Sequence, residues 1–300
     1  MVGSTASHYE NFPVASVLLP RRMRRDIAAL YAFARTADDF ADEGDVADDI
    51  RLARLDAWQA RLHRAATGAQ QPAAASGEPG DAPALFGQIG RTIRDHSLPV
   101  DLFDALLSAF RQDVTVHRYR HWGELLDYCS RSANPVGRLV LRIAGYRDAR
   151  LDDWSDAVCT ALQLTNFWQD LRGDSLRGRI YVPEQEMLSA GADPHDLRAD
   201  GLNAAWRALM ATLVSRTRAL FEEGRPLCDA VSGRLGLELR ATWLGGTRIL
   251  DRIERAGYDV LSVRPVIGAR DLPWLGARMM TWRLHRHSPP TSLARPERRR

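Results

Sequence analysis

An all-α fold follows from three features of this 300-residue chain. Apolar residues recur at helical spacing in nearly every apolar segment, no stretch sustains the period-two alternation of a half-buried strand, and 45% hydrophobic residues suffice for a sizeable core. Length alone admits one or two domains. No clear linker divides the chain, so residues 1–282 are expected to form one helical domain, followed by an arginine-rich tail over 283–300.

The first informative helix carries Ile27, Leu30, Tyr31 and Ala34 as an apolar stripe. Asp38 continues that stripe to within about 20° at roughly 100° per residue, so it should point inward, with Asp42 slightly to one side. Asp39 falls about 120° from the stripe centre and reads as a solvated neighbour. Residues 65–84, with the run Gln70-Gln71-Pro72-Ala73-Ala74-Ala75-Ser76-Gly77-Glu78-Pro79-Gly80, are low in complexity and expected to form a mobile loop between helices. A later helix sets Val158, Ala161, Leu162, Leu164, Thr165, Trp168 and Leu171 against Gln163, Asn166, Asp170 and Asp174. Periodicity by itself assigns the second group to solvent. Residues 283–300 hold six arginines and one glutamate among prolines, and read as a disordered solvated tail, with weak attraction to anionic lipid as the alternative.

Asp38 with Asp42, and Asp170 with Asp174, are i,i+4 pairs about 130 residues apart, and on a helix each pair can offer its oxygens to one ligand. Four carboxylates converging in a mostly apolar protein repel one another unless hard cations neutralise them, and oxygen-ligated Mg2+, which commonly carries phosphate, is the usual choice. One such pair taken singly is ordinary surface charge. The repetition, the inward aim of Asp38 and the amides Gln163 and Asn166 beside the second pair favour a shared metal site.

Composition removes several chemistries. All 41 basic residues are arginine, which excludes lysine-based nucleophiles and Schiff bases, and the net charge of +3 gives no case for nucleic acid as a partner. Cys129, Cys159 and Cys228 are odd in number and lack metal spacing, which fits a reducing cytoplasm. No apolar run approaches the ~20 residues of a membrane span, and the first residues lack a signal-peptide core. His117 and His121 have no third ligand pattern nearby, the Glu-x-x-His pairs of a di-iron bundle are missing, and no glycine-rich nucleotide fingerprint is present.

Tyr31-Ala32-Phe33-Ala34-Arg35-Thr36-Ala37-Asp38-Asp39-Phe40-Ala41-Asp42-Glu43 resembles the first aspartate-rich motif of the squalene and phytoene synthase family, and Gln163 through Asp174 resembles the second. Tyr128 to Gly137 and Gly178-Arg179-Ile180-Tyr181-Val182-Pro183 are similar to two further family segments, and the likeness spans roughly residues 8 to 270 in order. The resemblance implies an isoprenoid-synthase-type bundle with a deep central cavity and the two motifs on facing helices. It further implies Mg2+ on Asp38, Asp42, Asp170 and Asp174 with Asn166, a phosphate-side Arg35, and a cation chamber walled by aromatic residues such as Tyr31, Phe12, Phe167, Trp168 and Tyr128. Tyr31 and Arg35 join the four aspartates as candidate catalytic residues, while Phe12, Arg35, Tyr128, Gln163, Asn166, Phe167 and Arg179 are candidates for binding substrate.

Ala34, Gln169 and Asn11 replace a cysteine, an arginine and a serine common in the family, and Gly246 stands where phytoene-type members carry a tyrosine. With Asn11 to Ser16 and Asn166 to Asp170, these departures resemble the hydroxysqualene synthase branch of bacterial hopanoid biosynthesis. That likeness implies presqualene diphosphate as substrate and neighbouring hopanoid-pathway enzymes as partners. It also implies a cytoplasmic protein with peripheral membrane contact. A head-to-head prenyltransferase and a non-catalytic binding or assembly relative remain the alternatives.

Overall fold

The computed structural model describes residues 19–42, 46–75 and 77–282. Phe12, Asn11 and the tail over 283–300 lie outside the described residues. In chain order the helices are α1 (Arg21–Asp42), α2 (Asp48–Ala66), α3 (Ala82–His96), α4 (Val100–Thr115), α5 (Trp122–Ser132), α6 (Asn134–Ile143) and α7 (Ala149–Gln169). They are followed by α8 (Leu171–Leu176), α9 (Glu184–Ala190), α10 (Ala204–Gly224), α11 (Leu227–Ala230), α12 (Gly233–Arg255) and α13 (Leu272–Met280). The described residues form no strand; a single parallel bridge joins Arg118 to Ile180. The fold is the all-α one expected.

Two apolar cores form. One gathers the stripes of α1 to α4 with α6 and the start of α12, and at its centre Trp58 stacks on Phe33 and meets Phe40 and Phe86 edge to face, while its Nε1 donates to the Phe33 carbonyl at 3.3 Å. The other packs α5, α7, α9, α10 and the end of α12. Beyond its first turns, where Arg150 and Asp153 are exposed, the α7 helix is buried on nearly every side and leaves its later polar residues no solvent face to occupy. Trp168 Nε1 donates to Thr217 Oγ1 on α10 at 2.8 Å, and Arg138 of α6 holds Asp156 of α7, which fixes the helix from two directions. Contact between α6 and α7 is close because Gly137 has no Cβ; one built there would collide with Ser155 Oγ and lie 2.6 Å from Cys159 Sγ. Caps set other ends: His121 Nδ1 accepts from the Glu124 amide at the start of α5, which gives His121 a structural role.

The second aspartate motif departs from the continuous helix expected of it. The α7 helix stops at Gln169, Asp170 has φ −101° and ψ 11°, and α8 begins at Leu171. Side chains on both sides of the break are tied to the segment after α12: Gln169 Nε2 donates to the Pro265 carbonyl and Arg172 Nε to that of Leu261. The Asp174 amide still donates to the Asp170 carbonyl at 2.9 Å, so the i,i+4 relation of the two carboxylates survives.

The low-complexity stretch is shorter than expected, because residues 65–66 are helical in α2 and 82–84 in α3. It is also strapped down. Arg61 is 5% exposed, pairs with Glu78 at 2.7 Å and donates to the carbonyls of Pro72 and Ala73. Removing one partner of a buried pair leaves the other charge uncompensated. Glu78→Gln should therefore cost about 3 kcal/mol, within the range for broken buried pairs, and open residues 67–81 to a broad-specificity protease. Unchanged denaturant unfolding with an equally resistant loop would show that the strap is dispensable.

Candidate active site

The cavity lies where the two cores meet, and both aspartate pairs face it. Its wall comprises Asp38 and Asp42 of α1, Asp113 of α4, Tyr128 and Ser132 of α5, Ala133 and Val136, Cys159, Leu162, Gln163, Asn166 and Phe167 of α7, and Asp170, Asp174, Arg177, Arg179 and Tyr181. Gln163, Asn166 and Asp170 thus occupy the side of α7 that periodicity assigned to solvent. That side faces a polar cavity inside the protein.

Each motif carboxylate meets an arginine. Arg179 reaches Asp42 with two hydrogen bonds of 3.0 and 2.7 Å, Arg177 meets Asp174 at 2.6 Å, Arg35 stands 3.4 Å from Asp38, and Arg264 holds Asp170 through both oxygens. Gly178 makes the turn that aims Arg179 and Tyr181: its φ of +83° lies in the left-handed region that favours glycine. Burial works against the charge of Arg179, yet the hydrogen bonds it donates to the Asp42 carboxylate and the field of that carboxylate outweigh this and raise its pKa. Tyr181 stacks on Phe167 with ring centres 3.8 Å apart and planes within 6°, and Tyr128 lies tilted beside both, so three aromatic rings line one side.

Burial, reinforced by neighbouring Asp42, raises Asp38 to about 8. Asp113 is raised to about 7 by burial, although the Tyr128 hydroxyl, which donates to Asp113 Oδ2 at 2.9 Å, and Arg179 pull it back. Its other oxygen, Oδ1, is buried with no hydrogen-bond partner among the described residues. The oxygen donors Asp38, Asp42, Asp170, Asp174 and Asn166, which line one cavity, are of the kind that suits a hard cation, and Asp38 is the carboxyl that most needs one. No three His, Cys, Asp or Glu among the described residues converge closely enough to hold a metal by themselves.

Several expected residues stand elsewhere. Tyr31 and Arg35 share the helix face of Asp38 and Asp42 but lie nearer the start of α1, outside the cavity lining, and Arg35 spends its guanidinium on Asp39 at 2.7 Å as well as on Asp38. Asp39 is 36% exposed on its side chain and absent from the lining. Trp168 is fully buried between α7 and α10 and stacks on Trp122, away from the cavity. Asp113 went unnoticed in the sequence although the same signal marks it: it lies seven residues after Leu106 and three after Phe110, on the buried stripe of α4. Arg177, Tyr181 and Arg264 carry no such signal.

Residues 5–271 match the squalene/phytoene synthase family model. The chain belongs to the squalene/phytoene synthase family. It is 36% identical over 257 residues to a hydroxysqualene synthase of Rhodopseudomonas palustris, covering 85% of this chain and 82% of that one. A hydroxysqualene synthase of Zymomonas mobilis is 37% identical over 80% of this chain and 77% of its own. Among solved structures, squalene synthase HpnC from Alicyclobacillus acidocaldarius superposes with a TM-score of 0.73 at 40% identity, covering 84% of this chain and 90% of that chain. A dehydrosqualene synthase at 20% identity shares the fold with a TM-score of 0.78, covering 92% of each chain.

The buried Asp113 gives the metal-free protein a pH signature. Between the ordinary value of 3.8 and about 7, the folded chain retains a proton that the unfolded chain has released, so this group makes folding less favourable as pH rises through that window. Asp113→Asn keeps an acceptor for Tyr128 and removes the titration. Relative to wild type in chelator, its thermal stability should improve progressively between about pH 4 and about pH 7 and level off above that, by at most about 1.4 kcal/mol per pH unit. A difference that stays flat across that range would contradict the assignment.

Proposed function

We propose that this protein is a hydroxysqualene synthase: a Mg2+-dependent enzyme that expels diphosphate from presqualene diphosphate and captures the rearranged cation with water. The observation that supports it best is the meeting of both aspartate pairs at one cavity that also presents the rings of Tyr128, Phe167 and Tyr181 and the apolar side chains of Val136 and Leu162, in a chain 36–37% identical to relatives of that name.

Asp38, Asp42, Asp170 and Asp174, with the Asn166 amide, would hold Mg2+, which supplies Lewis-acid stabilisation of the departing diphosphate when bound. Arg177, Arg179 and Arg264, now engaged with carboxylates, can turn to phosphate oxygens, Arg179 and Arg264 with the bidentate geometry they already use. The bond from carbon to the diphosphate oxygen breaks and both electrons leave with the diphosphate. The faces of Phe167, Tyr181 and Tyr128 stabilise the resulting carbocation and keep bulk water out. Gln163, Ser132 and the Asp113–Tyr128 pair offer hydrogen-bonding atoms to a single water, whose oxygen adds to the cation and whose proton is released.

Replacements at the cavity edge support this reading over a prenyltransferase that couples two chains. A Cβ at Gly246 would collide with Phe221 and lie 2.9 Å from Leu162, a residue of the cavity wall, so the tyrosine of phytoene-type members has no room here. Gln169 is buried and gives its amide to the Pro265 carbonyl rather than to the cavity, so it takes no part in the lining.

Purified protein given presqualene diphosphate and Mg2+ should form a C30 alcohol without nicotinamide cofactor, and the alcohol should carry label from 18O water. Squalene produced only with NADPH, or a product made directly from farnesyl diphosphate, would assign the chain to the prenyltransferase reading. Asp38→Asn and Asp170→Asn are nearly isosteric and should leave the fold intact, but each should lower turnover by at least about a hundredfold through lost electrostatic stabilisation. Normal turnover in both variants would remove these aspartates from the metal site.

A further inference from the structure

Buried polar atoms are almost always hydrogen-bonded, so each exception calls for an explanation. Of the side chains that line the cavity, two have a buried oxygen with no hydrogen-bond partner among the described residues: Ser132 Oγ and Asp113 Oδ1. Ser132 is 4% exposed and Asp113 6%. A hydroxyl on a helix has a ready partner in the carbonyl four residues back. Elsewhere in this chain that bond forms: Thr165 donates to the Ala161 carbonyl at 2.7 Å, Thr217 to that of Leu213 at 2.8 Å and Ser189 to that of Gln185 at 2.7 Å. Ser132, the last residue of α5, makes no such bond to Tyr128.

The neighbours of that hydroxyl narrow its role. Ala133 and Val136, which follow it in the wall, and Leu162 of α7 are apolar, so the hydroxyl gains nothing from packing against them. Tyr128 stands one helical turn before Ser132 and donates to Asp113 Oδ2 at 2.9 Å, which fixes the carboxylate and leaves Oδ1 to another donor. A buried water needs two to four polar partners. A hydroxyl that can donate or accept and a carboxylate oxygen that accepts are two of them. The nature of the nucleophile then governs the product, because a carbocation that meets a positioned water becomes an alcohol, whereas one that meets none loses a proton and becomes an alkene.

We propose that Ser132 selects the product: its hydroxyl and Asp113 Oδ1 hold the one water that captures the cation, so that an alcohol forms and not a hydrocarbon. The inference rests on the function proposed above. In the step, the water oxygen gives an electron pair to the cationic carbon and a C–O bond forms. The O–H bond facing Asp113 breaks, and its proton passes to the carboxylate oxygen Oδ1. Ser132 acts through the water and is a positioning residue. Ser132→Ala removes a buried hydroxyl that has no partner in the protein, so its melting temperature should equal or exceed that of wild type. With presqualene diphosphate and Mg2+, the variant should release diphosphate within about twofold of the wild-type rate, because ionisation precedes capture. The share of C30 alcohol among its products should fall at least about fivefold, the effect of losing one hydrogen bond, with C30 hydrocarbons formed by proton loss in its place. An unchanged share of alcohol would overturn the proposal. So would a fall in alcohol matched by an equal fall in diphosphate release, which would make Ser132 a residue of packing or substrate binding. Wild-type protein that releases diphosphate and forms no alcohol would overturn the function proposed above together with this role, an outcome distinguished by requiring no variant.

Discussion

Five carboxyl groups drawn around one partly apolar cavity make neutralisation of charge the constraint on which this fold depends. Asp38, Asp42, Asp113, Asp170 and Asp174 come from α1, α4 and the α7–α8 junction, and their burial lifts Asp38 to about 8 and Asp113 to about 7. Arginines from distant parts of the chain answer them. Arg179 crosses 137 residues of sequence to reach Asp42, and Arg264 crosses 94 to reach Asp170. Each such pair also pins an irregular segment to the site: the turn after α8 and the stretch after α12. The site's electrostatics and the closure of the bundle around it are thus one set of contacts. An arginine-only complement suits this duty, because guanidinium stays charged when half-buried and grips both oxygens of a carboxylate.

How much of this was legible in the sequence depended on whether a residue's partners lay on its own helix. The all-helical class followed from periodicity, and the inward aim of Asp38 followed from the stripe of Ile27, Leu30 and Ala34, all of which are buried. Asp113 was equally legible and was passed over because no second carboxylate stands beside it. The face of α7 was misleading for a physical reason: amphipathic analysis assumes that one side of a helix meets solvent, whereas α7 meets protein on one side and a polar cavity on the other. The break at Asp170 and the strap from Arg61 to Glu78 were not readable at all. Both are produced by side chains reaching backbone carbonyls far along the chain or across a loop, and such contacts leave no periodic trace.

The same distinction explains which motif residues the cavity gathered. Asp38 and Asp42 lie at the end of α1, where the helix reaches the cavity, whereas Tyr31 and Arg35 lie one to two turns earlier on the same face. Trp168 sits on the apolar side of α7 and fills the second core, while Phe167, its neighbour, lies on the wall and stacks on Tyr181. Adjacent positions on one helix therefore divide between packing and site, and the direction of each side chain decides which.

The arginines also bear on how a ligand would enter. At about 150 Å³ the cavity is small for a long prenyl substrate, below the roughly 300–1,000 Å³ usual for ligand pockets. Arg177 and Arg264 are both half-exposed and close its carboxylate end by pairing with Asp174 and Asp170. A cation arriving with a diphosphate would satisfy those carboxylates and present phosphate oxygens to the released guanidinium groups. That exchange replaces one set of opposite charges by another, so opening need not strand a buried charge.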